Sequence, residues 1–318
     1  MSDLPSIVQI REAADRIAPM VHRTPMMTCA TINRLCGSEL YFKCENFQKV
    51  GAFKARGAVN AVFSLNEEEV KNGVATHSSG NHAAALAYAA ACRKVKAYVV
   101  MPENAPPVKK AAVAGYGAEI IYCESTQQAR EKALKKVIKK TGSAFIHPYN
   151  NRQVISGQGT AALELIDEAP ELDAVIAPVG GGGLLSGTAL VVKALNAKTK
   201  IYGAEPAGAD DACRSLQAGK IIPVEKPDTV ADGLRTSLGD LTFPIIQSHV
   251  SSIITVNDET IIEAMRLIWE RMKIVVEPSA AVPLAALLTG KLREKKLKIG
   301  VILSGGNADL DNLPWFKN

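Results

Sequence analysis

Residues 173–185 read DAVIAPVGGGGLL, and this stretch decides the fold of the chain. The apolar run over 173–179 predicts a β-strand that is buried on both faces, because it lacks polar alternation. Four glycines then lead into a helix that we expect to begin at Leu184. Their free N–H groups at the positive end of that helix favour a bound phosphate, with a flexible turn as the alternative. Together these features predict a parallel α/β sheet with a phosphate site at its carboxyl edge.

The same alternation of strand and helix continues along most of the chain. Further strands are predicted at residues 73–79, 96–101, 119–123, 144–147, 200–205, 252–256 and 298–303. We expect Ser125 and Asp258 to be the N-caps of two of the intervening helices. The pattern predicts two doubly wound, mostly parallel α/β domains with the active site in the cleft between them. Residues 68–150 would form the small domain, and residues 1–67 and 151–318 the large domain.

The composition argues against nucleic-acid binding and membrane-spanning functions. The chain has 318 residues, 47% of them hydrophobic, and a formal net charge of +5. Its one basic run, the lysines between positions 132 and 140, has helical spacing and predicts a solvated helix face. No apolar stretch approaches the ~18 residues that span a bilayer. The six cysteines lack C-x-x-C or zinc spacing, and the N-terminus lacks an apolar signal core, which predicts a cytoplasmic protein.

Two motifs in the first third of the chain could carry chemistry. Residues 78–82 read SSGNH at a predicted strand-to-helix junction, where hydroxyl and N–H groups would bind a carboxylate, with a serine N-cap as the alternative. Lys54 lies in the segment QKVGAFKARGA at 48–58. A lone lysine is usually a surface residue, but a buried lysine with a lowered pKa forms Schiff bases with carbonyl compounds. The phosphate loop elsewhere in the chain favours the second interpretation.

An acidic segment follows the predicted strand at 200–205. Residues 205–211 read EPAGADD, and their carboxylates and a loop carbonyl would suit a hard cation. A solvated acidic turn is the alternative. The five histidines do not pair at metal-ligand spacing, and no Ser-His-Asp order indicates a hydrolase.

Taken in order, five motifs make the chain resemble the fold-type II pyridoxal-phosphate enzymes, in particular the serine racemases and serine/threonine dehydratases. The resemblance extends from about residue 10 to residue 307 and implies the tryptophan-synthase-β-like fold of that family. The motifs are GAFKxRGA at 51–58, SSGNH at 78–82, GGGG at 180–183, EP at 205–206 and SGGN at 304–307.

The resemblance implies pyridoxal 5'-phosphate as the cofactor and a role for each matching residue. Lys54 would hold the cofactor as a Schiff base, Phe53 would lie against the pyridine ring, and Asn81 would bond the ring hydroxyl. Ser304 would meet the ring nitrogen, and a serine does not hold that nitrogen protonated as a carboxylate does. The phosphate would be held by Gly180, Gly181, Gly182, Gly183 and Leu184.

The resemblance also implies a reaction, the interconversion of L- and D-serine with elimination of serine to pyruvate and ammonia as a side activity. Racemisation needs two acid–base groups, which would be Lys54 on one face of Cα and Ser79 on the other. The substrate would be held by Ser78, Ser79, Asn81, His82, Arg130 and Thr236. One alternative is a dehydratase of threonine, serine or threo-3-hydroxyaspartate without significant racemase activity. Another is a non-catalytic module that binds an amino acid or a phosphate.

Metal and nucleotide sites are implied by the same resemblance. Glu205, the carbonyl of Ala209 and Asp211 match a site for Mg²⁺ or Ca²⁺. An ATP effector site at the interface of a homodimer is matched by Lys273, Glu277 and Asn307. The chain departs from the racemases at Ala84, where glutamine is common, and this departure bears on activation by ATP. It also has Ala52 where serine is common, a change that we expect to be silent.

Overall fold

The protein, described by a computed structural model over residues 4–78, 80–105, 107–292 and 296–316, contains two β-sheets flanked by helices. The strands are β1 (Met26–Met27), β2 (Glu39–Cys44), β3 (Val74–His77), β4 (Ala97–Pro102), β5 (Glu119–Cys123), β6 (Ala144–Phe145), β7 (Ala174–Pro178), β8 (Lys200–Pro206), β9 (Ser252–Val256) and β10 (Lys298–Leu303). The helices are α1 (Ile7–Ile17), α2 (Ala30–Cys36), α3 (Lys54–Ser64), α4 (Glu67–Val70), α5 (Asn81–Arg93), α6 (Pro107–Gly115), α7 (Gln127–Thr141), α8 (Arg152–Glu168), α9 (Gly183–Leu195), α10 (Asp211–Ala218), α11 (Thr242–His249), α12 (Asp258–Met272) and α13 (Pro278–Leu288).

The sheets have the parallel topology that the sequence predicts. The larger sheet has the strand order β1-β2-β10-β7-β8-β9, and the smaller has the order β5-β4-β3-β6. Within both sheets, the neighbouring strands of the described residues run parallel, except that β1 and β2 are antiparallel. The smaller sheet takes its strands from residues 74–145, inside the range 68–150 of the predicted small domain. The α/β class with parallel sheets is confirmed, whereas the domain limits themselves stay a prediction.

Helix α3 is packed between elements of the two halves of the molecule. It contacts α5, which covers the smaller sheet, and it also contacts α8. Glycines permit the close approach to α8, because a Cβ on Gly157 would lie 2.5 Å from the backbone oxygen of Arg56. Lys54 is the first residue of α3. The packing therefore fixes this lysine between the two sheets.

Two predicted helix caps are wrong by one residue. Thr126, not Ser125, caps α7 by accepting the N–H of Ala129 at 3.1 Å. Asn257, not Asp258, caps α12 in the same way. In both cases the cap is the residue whose backbone is still extended, so that its side-chain oxygen reaches the third N–H of the helix.

The basic run lies on α7 as a solvated face. Its buried positions are Leu134 and Val137, which pack under the smaller sheet. The exposed lysines are Lys132, Lys135, Lys136, Lys139 and Lys140, so this prediction is confirmed. Among the described helices, none combines the length and apolar character needed to cross a bilayer.

Candidate active site

Backbone pairing brings the Lys54 motif to the carboxyl end of β10. The N–H of Phe53 donates to the carbonyl of Ser304 at 3.0 Å, and Ala52 forms a bridge with Gly305. Ser304 is buried. The predicted lysine and the predicted partner of the pyridine nitrogen thus lie in one place, although they are far apart in the sequence.

The amine of Lys54 has two defined contacts and a lowered pKa. Its Nζ donates to the carbonyl of Pro148 at 2.9 Å and lies 5.0 Å from the centre of the Phe53 ring. Burial lowers the pKa of Lys54 to about 8, against an opposing effect of the Glu277 carboxylate. A lysine with this pKa is partly neutral near physiological pH, and the neutral amine attacks carbonyl groups.

The glycine loop, residues 180–183, is buried and closely surrounded. Gly182 has φ +86°, and a Cβ on Gly181 would lie 2.4 Å from the ring of Tyr149. Thr242 donates from its hydroxyl to the carbonyl of Gly181 at 2.9 Å. The hydroxyl of Thr236 would lie 3.2 Å from a Cβ on Gly180. A Cβ at Gly180, Gly181 or Gly182 would lie less than 3.0 Å from a neighbouring atom, so these three positions require glycine. Helix α9 begins at Gly183, one residue before the predicted start.

Asn81 is the first residue of α5, and both polar atoms of its side-chain amide are hydrogen-bonded. Its Nδ2 donates to Glu277 at 2.8 Å, and its Oδ1 accepts from Asn307 at 2.9 Å. Burial raises the pKa of Glu277 to about 7. Glu277 and Asn307, which the resemblance assigns to a nucleotide site, are thus hydrogen-bonded to Asn81, which the resemblance assigns to the cofactor ring. Lys273 is exposed just beyond the end of α12.

Three of the predicted substrate residues, Ser78, His82 and Arg130, lie around the end of β3. His82 is buried, and its Nε2 is 3.3 Å from the carbonyl of Ile146, which requires that this nitrogen donate. Its Nδ1 is buried without a hydrogen-bond partner among the described residues. Arg130 on α7 is half-buried and close enough for its charge to lower the pKa of His77, after the larger effect of burial. Ser78 is half-buried at the end of β3, and Ser79 lies outside the described residues.

The predicted metal ligands form a buried acidic pair. Glu205 accepts the N–H groups of Ala212 and Cys213, both at 2.9 Å, and burial raises its pKa to about 8. Both oxygens of Asp211 are buried and make no hydrogen bond of ordinary geometry in the described part of the chain. Burial raises the pKa of Asp211 to about 7, against a smaller opposing effect of Ser237. Ala209 is buried beside them in the chain. In the described ranges, no group of three or more acidic, histidine or cysteine side chains is placed to hold a metal ion. A cation at this site would therefore have three ligands from the protein, the carboxylates of Glu205 and Asp211 and the carbonyl of Ala209.

Sequence reasoning missed the segment that faces both Lys54 and the glycine loop. Pro148 accepts from Lys54, and the ring of Tyr149 lies against Gly181. The contact of Lys54 is to a backbone carbonyl, which any residue type carries. The signal available was a His-Pro pair at the end of a predicted strand, at the same sheet edge as the other motifs.

Comparisons with known proteins agree with this geometry. The family model for the pyridoxal-phosphate dependent enzymes matches residues 17–305. A serine racemase of Dictyostelium discoideum is 54% identical over 98% of this chain and 98% of its own length. A beta-hydroxyaspartate dehydratase of Paracoccus denitrificans is 50% identical over 98% of this chain and 99% of its own. The solved structure of maize serine racemase superposes with a TM-score of 0.95 at 50% identity, covering 96% of this chain and 94% of that one. The chain therefore belongs to the fold-type II family of pyridoxal-phosphate dependent enzymes.

Proposed function

We propose that the protein interconverts L- and D-serine and also eliminates serine to pyruvate and ammonia. The observation that carries this proposal is the 54% identity to a serine racemase over nearly the whole of both chains. It is supported by the amine of Lys54, whose lowered pKa suits Schiff-base chemistry. The testing experiment is incubation of the purified protein with L-serine, followed by chiral chromatography and a pyruvate assay. Absence of D-serine would contradict the racemase activity.

The residues of the site fit pyridoxal phosphate. The glycine loop and Leu184, at the start of α9, present N–H groups to a phosphate. Asn81 is held by Glu277 through one N–H of its amide, which leaves its other N–H for the ring hydroxyl. Phe53 and Ser304 would bound the ring. When bound, pyridoxal phosphate withdraws electrons from Cα of an attached amino acid and so acidifies its Cα–H bond.

We propose that two residues of the chain move the proton at Cα. Lys54 takes or returns it on one face, and Ser79 does so on the other. The role of Ser79 rests on the family resemblance. The substrate carboxylate would be bound by Ser78, Asn81, Arg130 and Thr236. The resemblance also places His82 at the substrate, but its free, buried Nδ1 is an acceptor, so His82 would contact a protonated group of the substrate rather than the carboxylate.

Replacing Ser79 with alanine is expected to reduce racemisation more than it reduces elimination of one serine enantiomer. The reason is that racemisation needs a group on each face, whereas elimination needs only the face from which the proton leaves. The measurement is the ratio of D-serine to pyruvate formed from L-serine, compared with the unaltered protein. An equal loss of both products would argue against a separate base on the second face.

A second candidate is a dehydratase of 3-hydroxyaspartate, threonine or serine that does not racemise appreciably. The 50% identical dehydratase from Paracoccus denitrificans favours this alternative. It predicts that keto-acid formation from threo-3-hydroxyaspartate or threonine greatly exceeds turnover of serine. A chiral product assay across the three substrates, with and without Mg²⁺ and ATP, separates the two functions.

We also infer that Mg²⁺ or Ca²⁺ binds at Glu205, Asp211 and the carbonyl of Ala209. Oxygen ligands of this kind are those that both cations prefer, with water completing the shell. The supporting observation is that both oxygens of Asp211 are buried and make no hydrogen bond of ordinary geometry to the described residues, although Ser237 lies close enough to lower the pKa of Asp211 against the effect of burial. Buried carboxylates without partners are costly, and a cation would remove that cost.

Adding Mg²⁺ is expected to raise the melting temperature, because a ligand that binds only the folded state stabilises it by about 2.7 kcal/mol at a hundredfold excess over its Kd. Asp211→Asn should abolish this rise. Asp210→Asn is the matched control, since Asp210 is more exposed and is paired with Arg214 at 2.7 Å. Differential scanning fluorimetry measures the shifts. A full response in Asp211→Asn would contradict the metal site.

We further propose that ATP is an effector and that the protein is a cytoplasmic homodimer. Lys273, Glu277 and Asn307 would contact the nucleotide, and the bonds of the last two to Asn81 give it a route to the cofactor ring. All six cysteines are free thiols, which suits a reducing compartment. Sedimentation analysis tests the dimer, and serine turnover with and without ATP tests the effector.

A further inference from the structure

His147 closes the turn that follows β6. Its Nδ1 accepts the N–H of Asn150 at 2.9 Å and the N–H of Tyr149 at 3.3 Å. Asparagine and aspartate stabilise turns in the same way, by accepting N–H groups two and three residues ahead. Because Nδ1 is the acceptor, the neutral imidazole carries its proton on Nε2. We call residues 147–150 the capped turn.

The capped turn contacts both parts of the cofactor site. The carbonyl of Pro148 accepts from Nζ of Lys54 at 2.9 Å. The ring of Tyr149 packs against Gly181, because a Cβ added to that glycine would lie only 2.4 Å from the ring. The ring therefore fills one side of the glycine loop. The side chain of Asn150 accepts the N–H of Leu241 at 2.8 Å, directly before α11. A shift of this turn would therefore move the partner of the amine and the wall of the phosphate loop together.

The imidazole is held in a neutral, fixed state by its surroundings. Its ring centre lies 4.6 Å from that of Tyr149, 5.6 Å from that of Phe145 and 6.1 Å from that of His77. Burial, with the neighbouring charges of His77 and Lys54, lowers the pKa of His147 to about 4. The acceptor on Nδ1 is thus present throughout the neutral pH range.

We propose that His147 is a positioning residue, which caps the turn 147–150 so that the Pro148 carbonyl orients the Lys54 amine and the Tyr149 ring shapes the phosphate loop. This role rests on the proposed use of Lys54 by the bound cofactor. It does not depend on whether the protein racemises or only eliminates its substrate. His147 acts through its neighbours and need not touch the substrate.

The test compares His147→Asn with His147→Gln in the full-length chain. Asparagine places its Oδ1 where the imidazole has Nδ1, and so keeps the cap. Glutamine places its amide nearer to the position of Nε2 and loses the cap. We expect the asparagine variant, stripped of cofactor, to bind added pyridoxal phosphate at nearly the original rate, followed by the visible absorption of the Lys54 adduct. The glutamine variant should bind about tenfold more slowly, because small displacements of a reacting group are costly.

Three outcomes would overturn the proposal. If glutamine preserves the rate and asparagine does not, the important atom is Nε2 and the role is a direct contact. If both variants keep the rate, the cap has no role in positioning. If both lose it in proportion to a fall in melting temperature, His147 only stabilises the fold. Cofactor binding is read without any substrate, so a failure of the proposed serine activity leaves this test intact.

Discussion

Replacing Lys54 with alanine is expected to lower serine turnover by at least about a thousandfold, because the variant loses both the cofactor anchor and an acid–base group. The amine donates to the Pro148 carbonyl at 2.9 Å, at the start of a helix packed between the two halves of the molecule. The measurements are pyruvate and D-serine formation, together with the visible absorption of the purified protein.

Two control variants separate the covalent role of Lys54 from the effect of its positive charge and from the loss of any lysine. Lys54→Arg keeps a cation but cannot form a Schiff base, so we expect it to be as inactive as the alanine variant. Lys139→Ala removes an exposed lysine on the basic face of α7 and should leave turnover unchanged. Substantial turnover in both Lys54 variants would show that another residue carries the cofactor.

The sequence was sufficient to predict the parts of the site that have a local pattern. A buried strand, the glycine loop and a helix could be predicted because each preference acts over a few neighbouring residues. Asn81 and Ser304 also follow predicted strands, but their roles come from the family resemblance and not from the local pattern. The helix caps were misplaced by one residue, since Ser125 and Thr126 are equally suited by type and only the backbone distinguishes them.

Contacts made over long separations could not be predicted in this way. Glu277 meets Asn81 across 196 residues, and Asn307 meets it across 226. Nothing in the composition around these residues indicates a mutual bond, because it arises only when β10, α13 and α5 are assembled. The Pro148 carbonyl and the Tyr149 ring likewise reach Lys54 and the glycine loop through tertiary packing.

Arg56, two residues after Lys54 on α3, is expected to dominate the stability of this region. Its side chain is fully buried and binds two carboxylates, each through two bonds. The bonds to Glu45 measure 2.7 and 2.8 Å, and those to Glu164 also measure 2.7 and 2.8 Å. Lys43, also fully buried, contacts Glu164 at 2.7 Å. Removing the guanidinium would leave the buried charge of Glu45 without its partner.

Arg56→Met should therefore destabilise the protein by about 3–5 kcal/mol, the usual cost of an uncompensated buried charge. Urea unfolding followed by circular dichroism measures the change. The free energy of unfolding of Arg56→Lys should lie between that of Arg56→Met and that of the unaltered protein, because an ammonium group cannot bind two carboxylates through paired hydrogen bonds. Arg266→Met is the matched control, since Arg266 forms an exposed pair with Glu270 at 2.8 Å and should contribute little. A small effect of Arg56→Met would show that water or rearrangement solvates Glu45.

The destabilisation by Arg56→Met should also depend on pH in a defined direction. Hydrogen bonds and charge from Arg56 and Lys43 outweigh burial and lower the pKa of Glu164 below its usual value of 4.5. A carboxylate with a lowered folded-state pKa contributes stability above its unfolded pKa and loses it as the pH falls through the folded value. The difference between Arg56→Met and the original chain should thus be full near pH 7 and shrink as the pH falls below about 4.5. A difference that stays constant over this range would mean that lost packing of the long side chain, rather than its charge, causes the destabilisation.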